Sequence, residues 1–176
     1  MNTERIHKEI AKRLGKVESV LDIGCGNGAT IRFLAEYVAH EAIGIDIAGA
    51  SFSEEWVSQD GNFRRAECIR EDAYSIKSFS HNRFDAVVTV HAFHELSHPI
   101  SALHEVKRVL KPSGKILIAD FAKGHEGEKI WGETYYSPKQ VEAMLKKCDF
   151  TQIDVKRVSG ENFLFALAKK EKEKNE

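Results

Sequence analysis

No run of roughly 18 consecutive apolar residues occurs in the chain, so a membrane-spanning helix is not expected. The first residues, Met1-Asn2-Thr3-Glu4-Arg5, lack the charged-then-apolar pattern of a secretory leader. Cysteine is scarce. Cys25, Cys68 and Cys148 are odd in number and far apart, which argues against a disulfide framework or a CxxC site and for a reducing cytoplasm. Net charge is nearly absent, at −1 over 176 residues. A general electrostatic pull towards nucleic acid or a membrane surface is therefore not expected. Linkers rich in proline, glycine and serine are missing, as are internal repeats, so the chain reads as one domain. The single low-complexity stretch is the Lys- and Glu-rich end, 169–176, expected to be a solvated tail behind a domain of residues 1–168.

What is present suits an ordinary globular fold. Apolar residues make up 42%. A chain this long buries about 70% of the surface that its unfolded form exposes. Short apolar runs predict strands over 19–23, 42–46, 63–68, 84–90, 115–121, 151–158 and 163–168. Helical spacing predicts helices over 3–14, 29–38, 99–110 and 138–147, with a weaker, short helix over 53–59. Val20-Leu21 and Ala86-Val87-Val88 have the continuous apolar character of strands buried on both faces. Pro99 suits a first helical turn, and Lys111-Pro112-Ser113-Gly114 reads as a turn. Strand and helix alternate until two strands follow in succession. The expected fold is α/β, a Rossmann-like, doubly wound, seven-stranded sheet, mostly parallel with an antiparallel last strand.

Two features point to a ligand. Val20-Leu21-Asp22-Ile23-Gly24-Cys25-Gly26-Asn27-Gly28 leaves a strand and enters a helix. Glycines there permit a sharp turn and a close approach of the backbone, and the free N–H groups of the helix start can face polar ligand atoms. The spacing G-x-G-x-G at Gly24, Gly26 and Gly28 differs from the G-x-G-x-x-G of dinucleotide enzymes, which sets an NAD-dependent oxidoreductase below other readings. Asp22 can orient the loop amides. A tight turn without a ligand is the bland alternative. Asp46 follows at the end of the second strand, about 20 residues on, where an acid can accept hydrogen bonds from two vicinal ribose hydroxyls. Capping a helix is its alternative role.

These residues resemble the class I S-adenosylmethionine-dependent methyltransferase family, in its quinone-biosynthesis-like (type 11) branch. VLDIGCGNG at 20–28 is similar to that family's first motif, and GIDI at 44–47 to its second-strand acidic motif. Glu71-Asp72-Ala73, Phe84-Asp85-Ala86-Val87-Val88, Ala92-Phe93-His94-Glu95-Leu96 and Leu110-Lys111-Pro112-Ser113-Gly114-Lys115 continue the series in order. The resemblance implies S-adenosylmethionine as cofactor. It places the methionine part on Asp22, Gly24, Cys25, Gly26 and Gly28, the ribose on Asp46, the adenine on Ile47, Asp72 and Ala73, and the sulfonium end near His91. It implies methyl transfer to a small-molecule acceptor. The segment 122–136 is the one insert available to build the acceptor pocket, and it is small. A partner protein or a second copy completing that pocket, and a cofactor-binding module without catalysis, are therefore carried as alternatives.

The histidines admit several readings. His94-Glu95-Leu96-Ser97-His98 matches H-E-x-x-H, the zinc peptidase motif, but that chemistry needs both histidines on one continuous helix. Pro99 disfavours helix at His98, so no metal is expected. Histidine titrates near neutral pH, and His91 or His94 could take a proton from an acceptor; a polar loop contact is the alternative. His125, Tyr135 and Tyr136 are candidates to line the acceptor pocket.

Overall fold

The structure, a computed structural model, describes residues 1–49 and 51–172. Helix α1 (Thr3–Leu14) starts at Asn2, whose side chain accepts from the Arg5 N–H, and stops at Gly15, where φ is 71°. Strand β1 (Val17–Ile23), helix α2 (Ala29–Tyr37), strand β2 (Ala39–Asp46), strands β3 (Phe52–Val57), β4 (Phe63–Arg70) and β5 (Phe84–Val90) follow. A 3-10 turn (Phe93–Glu95) leads to helix α3 (Pro99–Val109), strand β6 (Leu110–Phe121), helices α4 (Gly127–Ile130) and α5 (Pro138–Lys147), and strands β7 (Phe150–Arg157) and β8 (Phe163–Lys170). Ser137 and Gln140 form a reciprocal capping box at the start of α5, with Pro138 in the first turn.

The strands form one sheet in the order β3-β4-β2-β1-β5-β6-β8-β7. The middle of the sheet is parallel (β4-β2-β1-β5-β6), while β3, β8 and β7 run antiparallel to their neighbours. Strand order reverses at β1, so the carboxyl ends of β1, β2 and β5 face one crevice. Each face of the sheet has its own apolar layer. Val20, Val88 and Leu117 pack with Ile6 and Ile10 of α1 and Ile31 and Leu34 of α2. Leu21, Val87 and Ile116 pack with Leu103 and Val106 of α3 and Val141 and Leu145 of α5. Alternation of side chains along a strand supplies both layers from the same residues' neighbours.

Four expectations need correction. The sheet has eight strands, not seven, because the expected helix over 53–59 is instead β3. Its period is two. Phe52 and Trp56 lean on the α2 layer, the Trp56 indole N–H donates to Glu36 (2.8 Å), and Arg32 lies over the Phe52 ring while pairing with Glu54. Residues 111–114 form an irregular part of β6, with Ser113 at φ 64°, not a free turn. Strand β8 continues to Lys170, two residues into the expected tail, and residues 173–176 lie outside the described residues. The cysteines were expected to stay unpaired, yet Cys25 and Cys68 are bonded through their sulfurs. Register explains it: Cys68 of β4 lies opposite Gly44 of β2, and the missing side chain at Gly44 leaves the room into which Cys25 projects.

Leu21, fully buried between β1's neighbours and α3, should contribute strongly to stability. Leu21→Ala is expected to lower the unfolding free energy by about 2–5 kcal/mol, read from urea titration followed by circular dichroism.

Candidate functional site

The glycine loop is built by the backbone first. The N–H groups of Gly24 and Cys25 both donate to the Ile45 carbonyl (2.9 and 3.2 Å), tying the end of β1 to β2. Gly24, Gly26 and Gly28 have φ of 77°, 51° and 79°, in the left-handed region that suits glycine. A side chain at Gly24 would strike the Cβ of Ala92, so glycine there lets the β1 loop touch the loop after β5. At Gly26 a Cβ would meet nothing within 4 Å: the bare main chain faces open space.

Asp46 stands at the carboxyl end of β2. One of its carboxylate oxygens accepts from the Gly26 N–H (2.9 Å) and the other from the Ala48 N–H (2.8 Å). It therefore fixes the glycine loop as well as facing the cavity. Asp72 accepts from the Tyr74 N–H (2.8 Å), which shapes the turn after β4.

Gly24, Asp46, Ile47, Asp72 and Ala73 line one cavity of about 220 Å³, together with Ile23, Tyr74, Ala92 and Leu96. Ile47 is 67% exposed at its edge, an apolar face open to a flat ligand. Asp22 does not line this cavity. It is 2% exposed, and its Oδ1 has no hydrogen-bond partner. Burial pushes its carboxyl well above the usual carboxylate range, and the charge of Asp46 pushes the same way. The side chain of Cys25 is turned away into its bond with Cys68, so only its main chain is offered to the loop. Gly28 is buried, and a Cβ on it would strike the Phe52 ring.

The remaining expected residues do not line this cavity. His91 follows β5 with φ 56°, an uncommon conformation for a residue with a side chain. Its ring packs on Phe121 and Phe163 (4.6 and 5.3 Å between centroids), its Nδ1 lacks a partner, and burial lowers its pKa. His94 sits on the 3-10 turn. Its Nδ1 contacts Asp120 Oδ1 at 2.8 Å, and its main-chain N–H donates to Asp120 Oδ2, also at 2.8 Å. Burial alone would depress the His94 pKa; the hydrogen bond and charge of Asp120 outweigh it and raise the pKa. Tyr135 is buried and its hydroxyl donates to Glu133, while its ring lies 4.7 Å from that of His94. Tyr136 packs on Phe93, away from both cavities described here. His125 stacks on Phe121 at 4.1 Å and lines a second cavity of about 540 Å³ with Phe121, Glu126 and Phe163.

His98 is not joined to His94 by a helix: α3 begins after it, at Pro99. A further cavity of about 500 Å³, lined by Lys16, His40, Asp60 and Arg64, lies at the amino ends of β1 and β2, away from the glycine loop. Sequence reasoning did not single out Asp120 or Glu133. Asp120 stands near the carboxyl end of β6, the edge where a doubly wound sheet presents its functional groups, and that position was the available signal.

A family profile described as a methyltransferase domain matches residues 21–118. The chain belongs to this methyltransferase family. It falls in the class I, S-adenosylmethionine-dependent group and its quinone-biosynthesis-like branch, so S-adenosylmethionine is the cofactor. A demethylmenaquinone methyltransferase of Renibacterium salmoninarum is 31% identical over 124 residues, covering 68% of this chain and 49% of that protein. A sterol 4-C-methyltransferase of Caenorhabditis elegans is 29% identical over 134 residues, covering 74% of this chain and 40% of that protein. The chain thus spans less than half the length of these two relatives. Among solved structures, a Haloferax volcanii putative methyltransferase in complex with the Trm112 methyltransferase activator superposes with a TM-score of 0.76 at 15% identity, over 96% of this chain and 90% of that one. The residues present leave room for that cofactor: the main chain at Gly26 faces open space, Ile47 is exposed at the cavity edge, and Asp22 Oδ1 is a buried acceptor without a partner.

The buried Asp22 carboxyl has a consequence for the free protein. An acid protonated when folded but ionised when unfolded loses stability as pH rises from its ordinary 3.8 towards the raised folded value. Asp22→Asn removes that loss. It should raise the thermal midpoint at about pH 7 by about 2–4 °C and leave it unchanged near about pH 3, read by differential scanning calorimetry.

Proposed function

We propose that this chain binds S-adenosylmethionine in the 220 Å³ cavity and transfers its methyl group to a small-molecule acceptor. The observation that carries the reading is the convergence of Gly24, Asp46, Ile47, Asp72 and Ala73, from three separate strand ends, on one cavity. In this reading Gly24, Gly26 and the neighbouring main chain hold the methionine part, with Asp22 beneath it. Asp46 takes the ribose hydroxyls, and Ile47, Asp72 and Ala73 take the adenine. Bound there, the cofactor supplies an activated methyl on a sulfonium, which is a good leaving group. The protein then has three tasks: aligning the acceptor, excluding water and removing a proton where the acceptor carries one. Alignment alone can lower a barrier by roughly 7–11 kcal/mol.

The proton falls to His94 in this proposal. Its ring is held by Asp120 and its other nitrogen faces Glu133 and Glu95 at 3.9 and 4.0 Å. His91 borders the methyl end, since it precedes Ala92 of the cavity wall and packs on Phe121 of the second cavity. His125 lines that second cavity, which we assign to the acceptor; Tyr135 packs on Phe121 and His125 behind its wall, and Tyr136, which stands on Phe93, is left without a part in it. The sterol and demethylmenaquinone relatives favour an apolar or ring-bearing acceptor. A second reading adds a protein partner, supported by the likeness to a methyltransferase found in complex with an activator and by the short 122–136 segment.

Isothermal calorimetry with S-adenosylhomocysteine tests the cofactor assignment. Asp46→Ala should weaken binding by about 10- to 100-fold, through loss of paired charge-assisted bonds. Gly26→Val should nearly abolish binding while circular dichroism shows a folded protein; normal affinity in either variant would remove the basis of the proposal. For catalysis, S-adenosylmethionine carrying a tritiated methyl is incubated with boiled, size-filtered cell extract. Label should pass to a small molecule with the intact protein, and the yield should fall at least about 100-fold with His94→Gln.

A further inference from the structure

We propose that Asp120 is a positioning residue that sets which nitrogen of His94 is bare. The inference rests on the reading of His94 as the proton acceptor. Asp120 is 2% exposed, and three donors meet its carboxylate: the His94 main-chain N–H at 2.8 Å, the Phe121 main-chain N–H at 2.7 Å and the His94 ring at 2.8 Å. An ionised carboxylate only accepts hydrogen bonds, so the ring contact places a proton on Nδ1. In a neutral imidazole that leaves Nε2 without one.

The surroundings make that bare nitrogen more basic. Nε2 faces the carboxylates of Glu133 of the segment after α4 and Glu95 of its own turn, at 3.9 and 4.0 Å. Both lie beyond hydrogen-bond distance, so neither occupies the nitrogen. Glu133 is itself engaged by the Tyr135 hydroxyl. The Tyr135 and Phe121 rings flank the imidazole at 4.7 and 6.2 Å. The two histidines beside this group, His91 and His125, pack on Phe121 rather than on Asp120. Two contacts from one residue, ring and main chain, to one carboxylate fix the side-chain torsions of His94 as well as its tautomer. Asp120 touches neither cavity and acts through His94 alone.

An asparagine at 120 cannot satisfy the same donors. Its single oxygen can serve the His94 main chain or the Phe121 and ring side, and its amino group then faces the remaining donors. Serving the His94 main chain turns the amino group to the ring and makes Nδ1 an acceptor, moving the proton to Nε2.

Long-range proton–nitrogen correlation spectra of protein labelled with 15N at histidine, at alkaline pH, read the tautomer directly, and His94→Gln assigns the signals. The intact protein should show His94 protonated at Nδ1. Asp120→Asn should shift the proton towards Nε2 and lower the His94 titration midpoint by about one unit or more. An intact protein protonated at Nε2, or a variant with unchanged tautomer and midpoint, would overturn the inference. If Asp120→Asn fails to fold, the spectrum of the intact protein decides alone. The tritium assay separates the two readings: transfer undiminished in His94→Gln defeats the proton-acceptor role and with it the catalytic meaning of Asp120, whereas the spectrum reports the tautomer independently of any acceptor.

Discussion

A side chain at position 44 would have nowhere to go. Above it lies the end of Ile31 from α2, and beside it lies Cys25. That close approach of helix, loop and strand is the constraint on which the rest depends. It lowers α2 onto β2, brings Cys25 across to Cys68, and holds the glycine loop where Asp46 can reach the Gly26 N–H. The loop needs this external hold. Three left-handed glycines give a chain many conformations to lose, and the bonds to Ile45 and Asp46 of β2, with the Cys25–Cys68 bond, help one of them persist.

The same economy governs charge at the strand ends. Two carboxyls, Asp22 and Asp46, stand at the ends of adjacent strands and receive opposite treatment. Asp46 is partly exposed and takes two main-chain donors, whereas Asp22 is buried without a partner at Oδ1, and burial pushes its pKa well up. The third acid, Asp120, is as buried as Asp22 but is met by three donors. A buried acid thus has two outcomes here, decided by how many N–H groups reach it. The unpartnered one has its pKa raised by burial, and the saturated one holds a neighbour in place.

Much of this was legible from residue order. Helices α1, α3 and α5 and the central strands follow from period, with Pro99 as a start signal for α3. The cavity wall formed by Gly24 and Asp46 was legible because it is local: a strand, a glycine turn and an acid at the next strand's end. The misses that matter for the site and the sheet edge are non-local. Over 53–59 the apolar residues are sparse, and a two-residue period across Phe52, Glu54 and Trp56 shows only once α2 is there to receive them. Cys25 and Cys68 are 43 residues apart and meet only because β4 lies beside β2. Asp120 gains its meaning from His94, which reaches it across the junction of β5 and β6.

Strand β3 carries Glu54 and Glu55 side by side on the outermost edge of the sheet, so both of its faces bear a carboxylate. Each carboxylate is met by a cation of a neighbouring element, Glu54 by Arg32 of α2 and Glu55 by Arg65 of β4, so both charges are balanced within the molecule. The hairpin finishes the sheet on that side by covering the hydrogen-bonding rim of β4 with a strand whose own charges are already matched.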